Sequence, residues 1–128
     1  MTRCVLAVDD SRTIRDMLHH ALTGAGFAVH LAENGQHGLD LLAGLTPDVI
    51  ISDINMPRLD GFGFIEAVRA IDRFRAVPIL VLTTESAPEL KARARAAGAT
   101  GWVVKPFDPP KLVRALDMVS GQVGGQGR

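Results

Sequence analysis

Val49-Ile50-Ile51-Ser52-Asp53 is a short apolar run that ends on an acid. A segment with no polar alternation suits a strand buried on both faces, as in a parallel sheet covered by helices. Three more segments follow the same rule. Val5-Leu6-Ala7-Val8 runs into Asp9-Asp10, Ile79-Leu80-Val81-Leu82 into Thr83, and Trp102-Val103-Val104 into Lys105. In an open parallel sheet, ligands bind in the crevice beyond the carboxyl ends of the strands. Four strand ends therefore bring three carboxylates, one hydroxyl and one ammonium to one edge.

The segments between these runs read as helices. Ser11 is an N-cap for a first helix with Ile14, Met17, Leu18, Ala21 and Leu22 on its apolar face, stopped by Gly24 and Gly26. Residues 28–32 alternate in character, as a half-buried edge strand would. A second helix after Asn34-Gly35 buries Leu39, Leu42 and Leu45 and ends before Pro47. A third, from Asp60-Gly61, spaces Phe62, Ile65, Val68 and Ile71 by three. A fourth starts near Ser86 and Pro88, carries Leu90, Ala94 and Ala97, and stops at Gly98. The last has Asp108 as cap and Pro109 at its first position, with Leu112, Leu116 and Val119 inward. Strict alternation of five strands and five helices predicts an α/β doubly wound sandwich. One domain spans 1–120, and the Gly-rich stretch 121–128 is expected to be a flexible tail.

Composition sets limits. Lys+Arg and Asp+Glu each number 14, so no net field favours nucleic acid or an anionic membrane. Apolar runs of about five residues fall far short of the roughly 20 that span a bilayer. The N-terminus lacks the pattern of a signal peptide. Cys4 is the one cysteine, which excludes an intramolecular disulfide and fits a reducing compartment; its place in an apolar strand reads as packing. These features predict a cytoplasmic protein without membrane insertion.

The strand-end residues are more specific. An acidic pair at a strand end is by itself usually a cap or a turn, and Asp53 changes that reading. Two carboxylates about 4 Å apart repel by about 4 kcal/mol at an effective dielectric near 20. Three need a cation or a raised pKa. Oxygen-only ligation with few protein donors suits Mg²⁺, with Mn²⁺ as the alternative. Lys105 can reach Asp53 or a phosphoryl oxygen, and Thr83 can donate to the same group.

In order and spacing, Val8-Asp9-Asp10-Ser11, Ser52-Asp53-Ile54-Asn55-Met56-Pro57 with Asp60-Gly61, Leu82-Thr83-Thr84-Glu85, and Gly101-Trp102-Val103-Val104-Lys105-Pro106-Phe107 resemble the receiver domain of two-component response regulators. The last segment and Asn55-Met56-Pro57 are most similar to single-domain chemotaxis regulators of the CheY type. The resemblance covers residues 3–120 and implies a flavodoxin-like sheet of order 2-1-3-4-5, for which the chemotaxis regulator is a standard example. It implies that Asp53 accepts a phosphoryl group from a histidine kinase. Asp9, Asp10, Asp53 and the Asn55 backbone carbonyl would hold the metal, and Thr83 and Lys105 the phosphoryl group. Asn55 and Glu85 would tune dephosphorylation, and the Lys105–Pro106 peptide would be cis. Trp102 would report the state of Thr83 to an output face, with Thr84 bulkier than the residue often found there.

The same resemblance implies a monomer that signals to an output protein, with the flagellar motor switch as the candidate. A phosphate sink or a relay outside chemotaxis is the alternative. Lys91 and Arg95 share a helical face near that output surface. Arg12, Arg15, His19 and His20 lie on the first helix, where kinases dock in this family; the histidines read as surface residues. His30 and His37 lack metal-ligand spacing. An aspartate-nucleophile hydrolase would need an acid where Asn55 stands, and no GxxxxGK[ST] or GxGxxG is present for a nucleotide.

Overall fold

The computed structural model describes residues 3–126, with side chains described through Ser120. Five parallel strands, β1 (Cys4–Val8), β2 (Ala28–Ala32), β3 (Val49–Ser52), β4 (Ile79–Thr83) and β5 (Gly101–Val104), form one sheet of order β2-β1-β3-β4-β5. They alternate with α1 (Arg12–Gly24), α2 (Gly35–Leu42), α3 (Gly61–Arg69), α4 (Pro88–Ala97) and α5 (Pro109–Gln126). The tail expected over 121–128 falls outside the residues whose side chains are described.

Successive strand residues face opposite sides of the sheet, and the core divides accordingly. Leu6, Val8, Ile50, Ile79 and Val81 join Leu42 of α2, Phe62, Phe64, Ile65 and Val68 of α3, and Ala94 of α4. Val5, Ala7, Val49, Ile51, Leu80 and Leu82 join Leu18 and Leu22 of α1 and Leu112 and Leu116 of α5. Each fully buried Leu or Ile is worth about 1.5–3 kcal/mol of transfer free energy. These two half-cores hold the strand ends in register.

The caps agree with the chain's local chemistry. Ser11, Asn34 and Asp60 each accept a backbone N–H of the first helical turn through a side-chain oxygen. Gly26, at φ 96°, takes the left-handed position that closes α1, whereas Gly24 lies within the helix.

Four local expectations change. Met17 is 43% exposed, because the inward stripe of α1 narrows to Leu18 and Leu22. Ile71 lies beyond α3 at 36% exposure, since the chain turns after Ala70 into a 3-10 turn at Asp72–Phe74. Leu45 lies beyond α2, which ends at Leu42; at α4 the capping position is Ala87, which offers no side-chain acceptor. Cys4 is half-buried, and burial, followed by the Asp48 charge, pushes its thiol pKa up.

At the amino-terminal edge of the sheet, Arg3 donates to Ser120 Oγ at 2.8 Å, pairs with Asp117 and lies 4.7 Å over the Phe27 ring. Arg3 thus clips the start of β1 to α5. Among the described residues no helix is long and apolar enough to cross a membrane.

Candidate functional site

Backbone hydrogen bonds continue past the strands and carry their first loop residues together. Asp9 N–H donates to Ala32 O (3.0 Å), Asp53 N–H to Val8 O (3.0 Å) and Lys105 N–H to Thr83 O (2.7 Å). The parallel register, with Val8 opposite Ser52 and Thr83 opposite Val104, places these residues at one edge. Asp9, Asp53 and Thr83 are buried there and Asp10 is exposed.

The acids are held from below. Asp9 Oδ1 accepts the Ser11 N–H at 2.9 Å, and Arg15 Nη1 donates to the Asp9 carbonyl at 2.7 Å. Asp53 Oδ1 accepts the Ile54 N–H at 2.7 Å, and Ser52 Oγ donates to the Asp53 carbonyl at 2.8 Å. Gly61 lets the next loop close on this turn. Its N–H donates to Ile54 O at 2.8 Å, and a Cβ on it would sit 2.2 Å from the Asp53 carbonyl oxygen. Only glycine fits this approach.

Lys105 bridges the two buried acids. Its Nζ lies 2.7 Å from Asp9 Oδ2 and 3.1 Å from Asp53 Oδ2, with all three side chains at most 10% exposed. The contact with Asp53 is a directed hydrogen bond. Against Asp9 the ammonium is close but poorly aimed, so buried Asp9 Oδ2 keeps its charge partner yet has no directed donor. Burial raises the Asp9 pKa above the ordinary carboxylate value and the Asp53 charge adds to it, while Lys105 and the Ser11 N–H oppose the rise. Burial alone would lower the Lys105 pKa; its close contacts with the Asp9 and Asp53 carboxylates and their negative charge outweigh it and raise it. The Lys105–Pro106 peptide is cis.

One carboxylate oxygen each from Asp9, Asp10 and Asp53 lies within 4.8 Å of the others. This donor set is hard, anionic and oxygen-only, and one of its buried oxygens lacks a directed donor. It fits a small divalent cation with several water ligands.

The mouth of the site is lined from β3 and β4. Asn55 Nδ2 donates to Glu85 Oε2 at 3.2 Å. The Glu85 N–H reaches Thr83 Oγ at 3.4 Å, and the Glu85 carbonyl accepts Trp102 Nε1 at 3.0 Å. Glu85 thus stands between the Thr83 hydroxyl and the indole. Sequence reasoning linked Trp102 to the state of Thr83 but missed this bond, because a backbone acceptor in a loop leaves no mark in residue identity. It also aimed Lys105 at Asp53 or a phosphoryl oxygen and missed its closer contact with Asp9.

The structure brings Asp9, Asp10, Asp53, Thr83 and Lys105 to one edge, with Asn55, Glu85 and Trp102 around it. Lys91 and Arg95 lie beside Trp102 in a small depression away from the acids. His20 lies with Asp16, Met17, Ala21, Phe107 and Pro109 around an apolar depression of about 420 Å³. His30 stays exposed on the edge strand, and His37 Nδ1 accepts the Glu33 N–H at 3.2 Å.

Residues 5–117 match the family model described as the response regulator receiver domain. The chain is 37% identical over 119 residues to the chemotaxis protein CheY1 of Helicobacter pylori, covering 91% of this chain and 96% of that one. It is also 37% identical over 110 residues to the DNA-binding transcriptional regulator NtrC of Klebsiella pneumoniae, covering 86% of this chain but only 23% of that longer one. Among solved structures, the chemotaxis protein CheY4 of Vibrio cholerae superposes with a TM-score of 0.90 at 48% identity, over 93% of this chain and 99% of that one.

Proposed function

The chain belongs to the response regulator receiver domains, which act as phosphorylation-dependent switches, and from that premise we propose that Asp53 is its phosphoacceptor, served by Mg²⁺ and by a histidine kinase as donor. The observation that carries this reading is Lys105 Nζ set between Asp9 Oδ2 and Asp53 Oδ2 at the edge where four strands end. An ammonium held there can pass from one carboxylate to an incoming phosphoryl oxygen without crossing solvent.

In this reading the Asp53 carboxylate attacks the phosphorus of a kinase phosphohistidine. A P–O bond forms as the P–N bond breaks, and the imidazole leaves with the electron pair. Lys105 offsets charge on the transferred group and Thr83 donates its hydroxyl to it. Asp9, Asp10, Asp53 and the Asn55 carbonyl would hold Mg²⁺, which supplies charge compensation at the phosphoryl oxygens when bound. Asn55 and Glu85 flank the approach of water and would set the lifetime of the aspartyl phosphate. As the Thr83 hydroxyl turns to the phosphoryl group, the Glu85 N–H loses its acceptor and the Trp102–Glu85 bond becomes free to change.

Partner surfaces support this arrangement. The apolar depression around Met17 and Phe107 adjoins the first helix, where a kinase helix would dock beside the acids. On the β5–α5 face, Trp102, Val103, Ala115 and Met118 line a second depression of about 560 Å³, suited to an output protein. The similarity to CheY1 and CheY4 over nearly their whole lengths favours chemotaxis, with the flagellar motor switch as output. The equal identity to NtrC supports a second reading, a relay or sink outside chemotaxis. We place the protein in the cytoplasm as a monomer.

The test is labelling from acetyl phosphate. Wild type should incorporate one acid-stable, base-labile phosphoryl group only with Mg²⁺, and Asp53→Asn should incorporate none while keeping its fold. Labelling that survives Asp53→Asn, or that ignores chelator, would overturn the assignment.

A further inference from the structure

The two ends of α4 are tethered by different means. At its carboxyl end, Arg69 spends its guanidinium entirely on backbone carbonyls. Nε and Nη2 donate to Gly98 O at 3.0 and 2.7 Å, and Nη1 donates to Phe74 O at 2.8 Å and Val77 O at 2.7 Å. No described carboxylate pairs with it. Gly98 closes α4 at φ 120°, and a Cβ there would lie 2.7 Å from Arg69 Cγ. The next residues are sewn to the sheet: Thr100 N–H donates to Ile79 O at 2.7 Å and Thr100 Oγ accepts the Ile79 N–H at 3.0 Å. A cation on the last carbonyls also opposes the helix dipole favourably.

The amino end has no such anchor. Ala87 supplies no side-chain cap, and Thr84, Ser86, Pro88 and Glu89 are exposed. Ala94, in the second half of the helix, is the one fully buried residue of α4. Arg93 lies 4.0 Å over the Phe62 ring in the middle. The loop leading into α4 is held by three bonds at Glu85, to Thr83, Asn55 and Trp102, all made by residues of the site or its neighbour. Segments with few buried contacts and uncapped backbone open first.

We propose that Arg69 is a positioning residue: it fixes the carboxyl end of α4 so that a change at Thr83 moves only the amino-terminal turn. This rests on the reading of the site as a phosphoryl switch. With the far end fixed, rearrangement at Glu85 becomes a tilt of one turn instead of a slide of the whole helix. The region presented to a partner would then change near residues 85–91 and stay constant near residues 95–100.

Amide hydrogen exchange of the full chain, with and without Mg²⁺ and beryllofluoride as the phosphoryl mimic, tests this. In wild type, loading should alter exchange at least fivefold within residues 84–91 and less than twofold within 94–100. In Arg69→Gln the loading response should spread into 94–100, and Arg69→Lys should confine it again in part. A structural role alone would speed exchange equally in free and loaded protein and leave the response confined, which would overturn the proposal. So would a wild-type response distributed evenly along α4. If Arg69→Gln fails to fold, the wild-type pattern and Arg69→Lys decide. Failure of the phosphoryl reading looks different: no exchange change anywhere on loading, and no labelling of Asp53.

Discussion

Asp10→Asn should make the metal-free protein more stable and the Mg²⁺-bound protein less stable than wild type. The three carboxylates offer oxygens within 4.8 Å of one another, and Asp10 is the exposed member. At that separation a like-charge pair costs about 0.9 kcal/mol at the dielectric of water. Salt at physiological strength, with a Debye length of about 8 Å, removes roughly half of this. Asp10 faces two such partners, whose charge Lys105 partly offsets, so its neutral isostere should gain up to about 1 kcal/mol, or at most roughly 3–5 °C in Tm for a domain of this size. With Mg²⁺ at about 100 times its Kd, wild type gains about 2.7 kcal/mol by mass action. Asp10→Asn loses an anionic ligand and should gain much less, so the order of the two proteins inverts. Thermal unfolding by circular dichroism in chelator and in Mg²⁺ reads both halves. An Asp10→Asn variant that melts below wild type in chelator would refute the repulsion. Equal Mg²⁺ shifts in both proteins would refute Asp10 as a ligand.

Arg58 sits at φ 72°, with Leu59 N–H donating to Pro57 O at 2.9 Å across it, a γ-turn in the left-handed region. Arg58→Gly should raise the urea unfolding free energy by roughly 1 kcal/mol, the relief of strain exceeding the added chain entropy; a lower value than wild type would contradict this. Gly61→Ala should cost about 3 kcal/mol or more and reduce Asp53 labelling, because the methyl meets the Asp53 carbonyl at 2.2 Å. Near-wild-type stability and labelling would show that the loop yields freely. Lys105 binds its proton more tightly folded than unfolded, so its contribution is complete below pH 10.5 and is lost as pH rises through the higher folded value. The chain has no tyrosine to obscure that range. Urea midpoints should therefore fall on the alkaline side in wild type and fall less in Lys105→Met; parallel curves would remove Lys105 from the linkage.

The fold was legible because four of its strands are apolar and each runs into a residue that is costly to bury, while β2 alternates as an edge strand does. Strand order came from the resemblance, since apolar runs do not state their neighbours. The members of the site were readable as residue types at strand ends, but depth was not. Asp9 and Asp10 are adjacent and alike in sequence, yet one is buried under Lys105 and the other faces water. The width of a helical stripe was equally hidden, which is why Met17 was placed inward. Phe64 was passed over because its spacing broke the pattern of three. The signal lay elsewhere, in Gly38, whose missing Cβ leaves the space that the Phe64 ring approaches at 2.8 Å. Arg58 gave no sign of its turn, because arginine has no preference for positive φ.

The clip from Arg3 to Asp117 and Ser120 has a practical consequence for anyone handling this molecule. It gathers the start of β1 and the later turns of α5 at the pole of the sheet remote from the acids. A dye, affinity tag or fused domain joined through either of those segments would hang from that pole, leaving the acidic edge uncovered. The same clip makes the two segments mechanically common ground. Tension applied through both would load Arg3 and the β1–α5 seam first, before the strand ends that bear Asp9, Asp53 and Lys105.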